Sequence, residues 1–234
     1  MSKAIAITGG SKGIGRSIVN LFADKGFNII TCSRSLADLE GLKAEVLSKN
    51  PSVFFESIVA DVSTREGANS FIDFAQTHST GLHVLVNNAG TFIPGQLINE
   101  EEGAFEKMID TNLASAYHIT RGLIHSIMNN KGHVFNMCST ASIMPYVNGG
   151  SYCISKFAML GMTKVLREEM KEHDVRVTAI MPGATLTASW EGTELPEERF
   201  MKADDVAHAV WGAYVLSPRT VVEELIIRPQ LGDI

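Results

Sequence analysis

The chain has 234 residues, 45% of them hydrophobic and 20% charged, enough apolar side chain to bury a full core, and one α/β domain over residues 1–234 is expected. A formal net charge of −6 without any long basic run argues against a surface that neutralises nucleic-acid phosphates. Cys32, Cys138 and Cys153 are scattered without Cys-x-x-Cys spacing, which speaks against a disulfide framework or a zinc site, and no apolar stretch is long enough to span a bilayer. The N-terminus passes at once into an apolar run, without the basic region and cleavage site of a signal peptide, so the expectation is a cytoplasmic protein with neither membrane nor nucleic-acid partner.

Short β-rich runs alternate with longer helical patterns along the chain. Residues 4–8 read as a strand, followed by a glycine-rich turn and a helix over 14–25 that Gly26 is suited to close. A second strand over 27–33 leads to a helix opened by Ser35 with Asp38 three residues on, ending near Asn50-Pro51. Residues 53–60 form the third strand, and Ser63 with Glu66 is expected to open the helix after it. The fourth strand, 82–86, runs into Asn87-Asn88-Ala89-Gly90. Helical patterns cover 102–129 and 151–173 on either side of a strand at 134–137. A strand at 175–180, an irregular stretch to Phe200, a helix at 204–216 and a strand at 224–227 complete the chain. Such alternation implies right-handed crossovers and a parallel sheet with helices on both faces, a three-layer α/β/α sandwich. The long stretch 184–200, with Gly192 and Pro196, suggests a surface lid or a disordered loop.

Two constellations carry chemistry. The first is the turn Thr8-Gly9-Gly10-Ser11-Lys12-Gly13-Ile14-Gly15 between strand and helix. Its glycines permit a tight turn and close approach of backbone to a pyrophosphate, while the helix N-terminus offers free amides; an unliganded flexible turn is the alternative. The spacing is neither Gly-x-Gly-x-x-Gly nor that of a P-loop. The second is Tyr152 and Lys156, four residues apart and so on one face of a helix. A phenol exchanges its proton poorly at neutral pH unless a cation stabilises the phenolate, and Lys156 can be that cation. Ser139, after the strand at 134–137, can hold a carbonyl oxygen beside the tyrosine. Taken alone, the pair also fits an ordinary helix with an outward lysine.

Thr8-Gly-x-x-x-Gly13-x-Gly15, Asp61-Val62, Asn87-Asn88-Ala89-Gly90, Asn112, Ser139, Tyr152-x-x-x-Lys156 and Pro182-Gly183 occur in the order and spacing of the short-chain dehydrogenase/reductase family, which the whole chain resembles. The resemblance implies a Rossmann-type doubly wound sheet of about seven parallel strands, a nicotinamide cofactor across the strand ends, a small carbonyl or alcohol substrate, and a homodimer or homotetramer. By the same resemblance Tyr152 exchanges the proton with the substrate oxygen, Lys156 assists it and binds the nicotinamide ribose, Ser139 holds the substrate, and Asn112 supports a water relay to the lysine. Asp61 with Val62 would meet the adenine, Asn88 with Ala89 and Gly90 the neighbouring strand and cofactor backbone, and Pro182, Gly183, Thr185 and Thr187 the cofactor after the sixth strand. Gly9, Ser11, Lys12, Gly13, Ile14 and Gly15 would cradle the phosphates.

The end of the second strand, Thr31-Cys32-Ser33-Arg34-Ser35, lacks the acidic residue that accepts from the ribose 2′-hydroxyl of NAD. Arg34 instead offers a planar, permanently charged fork for a 2′-phosphate, with Ser33 as a further donor and Lys12 as a second charge in the family's geometry, so NADP(H) is the expected cofactor. Other features are read as structural. His118 and His125 lack a third ligand, so no metal is expected. Glu100-Glu101-Glu102 fits a solvated helix start, and Leu113, Tyr117 and Leu123 fit core packing or a partner face. An NADP(H)-dependent oxidoreductase is thus the leading function, with a non-catalytic NADP-binding regulator on the same fold as the alternative. Phe92, Ile93, Met144, Tyr146 and Trp190 are candidates for an apolar substrate pocket, which leaves acyl thioesters, pterins, ketosteroids and small ketones open.

Overall fold

The computed structural model describes residues 3–79, 81–187, 190 and 192–234. Strands β1 (Ala4–Thr8), β2 (Asn28–Ser33), β3 (Phe55–Val59), β4 (Val84–Asn87), β5 (His133–Met137), β6 (Arg176–Pro182) and β7 (Glu224–Ile227) form one 7-stranded sheet in the order β3-β2-β1-β4-β5-β6-β7. Every pairing is parallel. Helices α1 (Gly13–Asp24), α2 (Leu36–Lys49), α3 (Arg65–His78), α4 (Ala104–Ile109), α5 (Ser115–Asn129), α6 (Gly150–Met170) and α7 (Ala203–Tyr214) supply the crossovers.

The period-2 geometry of a strand splits the core into two layers. Ile5 and Ile7 of β1 point into a cluster with Phe22 of α1, Val46 of α2 and Val210 of α7. Ala4 and Ala6 point the other way, to Phe71 of α3 and Leu123 and Ile127 of α5. The central strands β1, β4 and β5 are buried along their whole length, as burial on both faces requires, whereas edge strand β7 alternates and pairs Glu224 with Lys164 at 2.8 Å.

Helix ends follow their local chemistry. α1 closes in a Schellman motif. Gly26 (φ +80°) is left-handed, its amide bonds Ala23 O at 2.8 Å, and the Phe27 amide bonds Phe22 O at 3.0 Å. The hydrophobic contact that accompanies such a motif is Phe22 against Phe27, edge to face at 5.1 Å, and burying a ring such as Phe22 contributes about 1.5–3 kcal/mol. Ser35 caps α2 by accepting from the Asp38 amide at 3.3 Å, as its sequence predicts. The cap of α3 is Thr64 rather than Ser63. The Thr64 hydroxyl accepts from Gly67 N at 3.0 Å, while Ser63 is drawn into a turn on Asp61 Oδ1, at 2.7 Å from its hydroxyl.

Two further expectations are corrected. The pattern over 102–129 is not one regular helix, because a π-helical segment, Asp110–Ala114, joins α4 to α5. Leu113, in the π segment, packs at the edge of a core cluster, while on α5 Leu123 is buried and Tyr117 is exposed. The described residues of the stretch 184–200 are not structureless. Thr185 pairs with Met201, the Leu186 amide bonds Met201 O at 2.9 Å, and a 3₁₀ turn spans Glu197–Arg199. Residues 188, 189 and 191, on which part of the lid expectation rests, lie outside the described residues. All three cysteines are buried, and burial pushes the Cys32 thiol up to about 12, which leaves it unreactive. Among the described residues no helix is long and apolar enough to cross a membrane.

One buried polar residue ties stability to pH. His133 is 0% exposed, stacks on Phe135 at 3.9 Å, and meets Thr178 Oγ1 at 2.7 Å through Nε2, while its Nδ1 has no partner. Thr178 gives its own proton to Val222 O, so it must accept from Nε2–H. Burial first, and Arg176 second, hold this imidazole well below the usual histidine range. A histidine depressed in the native state leaves stability intact above its unfolded-state value near ~6.5, and removes it as the pH falls below that value and the unfolded chain takes up the proton. We expect wild type to lose about 1–2 kcal/mol more than His133→Leu between pH 7.5 and 5.0 in urea unfolding. Equal losses would show that His133 does not titrate on unfolding.

Candidate active site

Parallel strands place every turn that starts a crossover helix at one edge of the sheet, and the strand order reverses there between β1 and β4. The two turns at that switch point are tied together. Thr8 Oγ1 accepts from the amides of Asn88 at 3.0 Å and Ala89 at 2.9 Å, and Asn88 Nδ2 donates back to the carbonyls of Thr8 at 2.9 Å and Gly9 at 3.1 Å. The seam admits no extra atom at Gly15, where a Cβ would stand 2.3 Å from Gly9 O and 2.6 Å from Asn88 Nδ2. The N-cap of α1, Lys12, makes no side-chain cap, so the first-turn amides stay available to an anion.

Above this seam lies a cleft of about 630 Å³. Gly9, Ser11, Lys12, Gly13, Ile14 and Gly15 line it from the first turn, Ser33 and Arg34 from the end of β2, Asp61 and Val62 from the end of β3, Asn88, Ala89 and Gly90 from the end of β4, and Thr187 from beyond β6. Arg34 is exposed. Lys12 is instead held by Asp38 at 2.9 Å, and that ion pair, with the Lys12 hydrogen bond as its largest part, keeps the Asp38 carboxyl below the usual range. Asp38 also lines the cleft. Its role there escapes the sequence because the capping pattern with Ser35 already accounts for it. Asp61 Oδ1 accepts from the amide of Ser63 at 3.1 Å and from its hydroxyl at 2.7 Å, a turn role beside its place in the cleft.

A second cavity of about 340 Å³ adjoins the first, sharing Ile14, Asn88, Gly90 and Thr187 with it. Ser139, Tyr152 and Lys156 face it together, with Pro182, Gly183 and Thr185. Lys156 is 5% exposed, donates to Met137 O at 2.8 Å, and sets its ammonium 5.7 Å from the centre of the Tyr152 ring. Ser139 opens a 3₁₀ turn in a capping box, with its hydroxyl accepting from Ala141 N at 3.1 Å. That bond uses a lone pair and leaves the hydroxyl proton free to donate into the cavity.

Asn112 lines neither hollow. It is 1% exposed inside the π segment, and its amide is fully engaged: Oδ1 accepts from Thr91 N at 2.7 Å, and Nδ2 donates to Thr91 O at 2.9 Å and Ser155 Oγ at 2.9 Å. It therefore fastens the loop after β4 to the helix that carries Tyr152. Thr185 turns its hydroxyl onto Gly183 O at 3.0 Å, a structural bond. Of the apolar candidates, Phe92, Met144, Tyr146 and Trp190 line the cavity and Ile93 does not. Phe92 meets Tyr152 edge to face at 4.9 Å. Burial above all, then the neighbouring Tyr152, pushes the Tyr146 hydroxyl upward, which keeps it a proton-bearing donor. Asp233 also lines this cavity, its carboxylate held by Arg228 at 2.6 Å. No local pattern marks it, since only the folded chain end brings it to β6.

The family model described as short chain dehydrogenase matches residues 3–198. The chain belongs to that family. This short-chain dehydrogenase is 31% identical to a sepiapterin reductase of Chlorobaculum tepidum, over 100% of this chain and 99% of the relative. An alcohol dehydrogenase of the archaeon Thermococcus sibiricus, complexed with 5-hydroxy-NADP, superposes with a TM-score of 0.90 at 27% identity, covering 98% and 97% of the two chains. The L-sorbose reductase of Gluconobacter frateurii shares the fold, with a TM-score of 0.89 at 23% identity over 97% and 95%. The sheet order and the placement of helices on both faces are those of this family.

The Asn112 fastening is separable from chemistry. Asn112→Ala strips partners from both backbone groups of half-buried Thr91, and a polar group shielded from water and left unsatisfied costs about 1–3 kcal/mol. Chemical denaturation should show the variant destabilised by at least about 1 kcal/mol. Wild-type stability would mean that water replaces the amide without loss.

Proposed function

We propose that this short-chain dehydrogenase is an NADP(H)-dependent reductase of small carbonyl compounds. The observation that carries the proposal is the convergence of Ser139, Tyr152 and Lys156 on one cavity that opens into the glycine-loop cleft. The cleft fits a dinucleotide. Gly9 and Gly13 take positive φ of 65° and 52°, and Gly15 leaves no room for a Cβ, so the backbone itself forms the cradle. Arg34 and Ser33 would meet a 2′-phosphate, and the Thermococcus relative carries an NADP-type molecule. The nicotinamide, when bound, supplies the hydride.

The side chains do the rest. Ser139 donates its free proton to the substrate oxygen and fixes its position. Tyr152 then delivers its hydroxyl proton to that oxygen as charge develops on it, and the buried Lys156 ammonium favours the resulting phenolate. In the reverse direction the same tyrosine removes the alcohol proton. The cavity, at the small end of the range for ligand sites, is walled by aromatic rings, and among the described residues Asp233 brings a side-chain carboxylate to it. A planar heterocycle with ring N–H donors suits that lining better than a long acyl chain, and the likeness to a sepiapterin reductase points to the same pterin-type class. Exposed apolar residues on α4 to α6, among them Phe105, Tyr117 and Phe157, support association with a second copy, which light scattering would detect.

Loss of NADPH absorbance with sepiapterin, small diketones and an acetoacetyl thioester tests the reading. Turnover should be fastest with the pterin, and Tyr152→Phe should abolish it while NADPH affinity stays near wild type. Tight NADPH binding without turnover on any carbonyl would instead make the protein a cofactor-binding regulator.

Cofactor choice is a separate expectation. Charge-assisted contacts contribute roughly 1.5–3 kcal/mol, so Arg34→Ala should weaken NADPH by about tenfold to a hundredfold and barely change NADH. Asp38→Asn frees Lys12 and removes a carboxylate from the cleft, so it should tighten NADPH. Fluorescence titration of both cofactors decides the matter. Equal losses of NADPH and NADH affinity in Arg34→Ala would remove the 2′-phosphate assignment.

A further inference from the structure

Glu100 belongs to an acidic run that suits a helix start, and it does stand at a helix N-terminus, though not that of the helix which follows it. Its carboxylate reaches the first turn of α6, where Oε1 accepts from Ser151 N at 2.7 Å and Oε2 from the Ser151 hydroxyl. α6 has no cap of its own, since its N-cap is Gly149 and its first turn carries no acidic residue. The carboxylate thus supplies both the missing acceptor and the negative charge that a helix N-terminus favours.

The contact is built into the surrounding backbone. Gly95 forms a parallel bridge with Gly149, and its amide bonds Asn148 O at 3.0 Å. A Cβ on Gly150 would stand 2.1 Å from Glu100 Oε1 and 2.7 Å from Gly95 O, and one on Gly95 would stand 2.8 Å from Glu100 Cγ. Glycines on both sides let the loop after β4 and the entry to α6 interlock around this one side chain. Tyr152 is the next residue after Ser151, in the same helical turn, and the same loop presents Phe92 to its ring.

We propose that Glu100 is a positioning residue: by holding Ser151 it sets the first turn of α6, and through it the direction of the Tyr152 hydroxyl relative to Ser139. This rests on the reductase reading above. Glu100 touches neither hollow described for cofactor and substrate, so its loss should act on turnover rather than on cofactor binding.

The experiment compares wild type, Glu100→Gln, Glu100→Ala, Ser151→Ala and the double variant in NADPH titrations and in steady-state reduction of whichever carbonyl wild type accepts. The expected result is a kcat at least tenfold lower for Glu100→Ala, with NADPH Kd within twofold of wild type. Glu100→Gln keeps the length and one acceptor oxygen, and should recover part of that loss. The double variant should be no slower than Glu100→Ala, because both substitutions cut the same contact. A kcat within twofold of wild type in Glu100→Ala, even with a lowered Tm, would overturn the proposal, as would additive losses in the double variant. If Glu100→Ala no longer binds NADPH, Glu100→Gln decides, and an unchanged kcat there together with an additive Ser151→Ala effect overturns it. Absence of turnover in wild type would instead count against the reductase reading, and the two failures are thereby distinguished.

Discussion

The seam between β1 and β4 is the constraint on which the rest of the molecule depends. Each half of a doubly wound sheet can form its own turns, but a dinucleotide cleft exists only if the two turns at the reversal point are held at fixed separation. Here Thr8 and Asn88 do that by exchanging hydrogen bonds in both directions, side chain to backbone each way. The absence of a side chain at Gly15 lets α1 lie directly on the seam. The glycine loop, the loop after β4 and the mouth of the second cavity all take their positions from this join.

A parallel sheet also gives the molecule two electrically distinct ends. Helix N-termini gather where the cleft lies, and helix C-termini gather at the other end. The sequence answers that asymmetry. Where α1 and α7 finish, Lys25 stands over Trp211 at 5.7 Å, and Lys3 stands over Tyr214 at 5.3 Å while donating to its hydroxyl at 3.0 Å. Arg176 lies over the same tyrosine ring at 5.5 Å. Cations there meet negative dipole ends and aromatic faces at once, so a chain with a net charge of −6 keeps a basic base beneath its sheet.

Much of this was legible in the residues, and the exceptions at the site share a cause. Strands announced themselves as apolar runs, and the Ser35 cap and the Gly26 stop are local signals with local causes, which is why they stand where the pattern puts them. Ser139, Tyr152 and Lys156 meet because strand order and helix period are both encoded nearby. The misses at the site are contacts between segments apart in sequence, whereas the Thr64 cap and the π segment are local. Glu100 reads as the start of its own helix because nothing local reveals that α6 lacks a cap. Asp233 reaches the second cavity only through the path of the last strand, and Lys12 meets Asp38 across the cleft that it lines. Asn112 is a residue type that fits a helix interior poorly, but its partners, Thr91 and Ser155, come from two other elements.

The π-helical segment Asp110–Ala114 has a consequence for rotation. Such a turn holds one residue more than an α-helical one, and each residue advances an α-helix by about 100°. The continuous rod from Ala104 to Asn129 is therefore two helices of different phase joined end to end. α4 uses its phase to turn Ala104 and Met108 toward α6, and α5 uses its own to turn Ile119, Leu123 and Ile127 toward the sheet and α3. Neither apolar face could be buried so well if the rod were uniform. The loss of a single residue within the π segment would be felt as a rotation of the whole of α4 about its axis, which would carry the support of the helix that bears Tyr152 away with it.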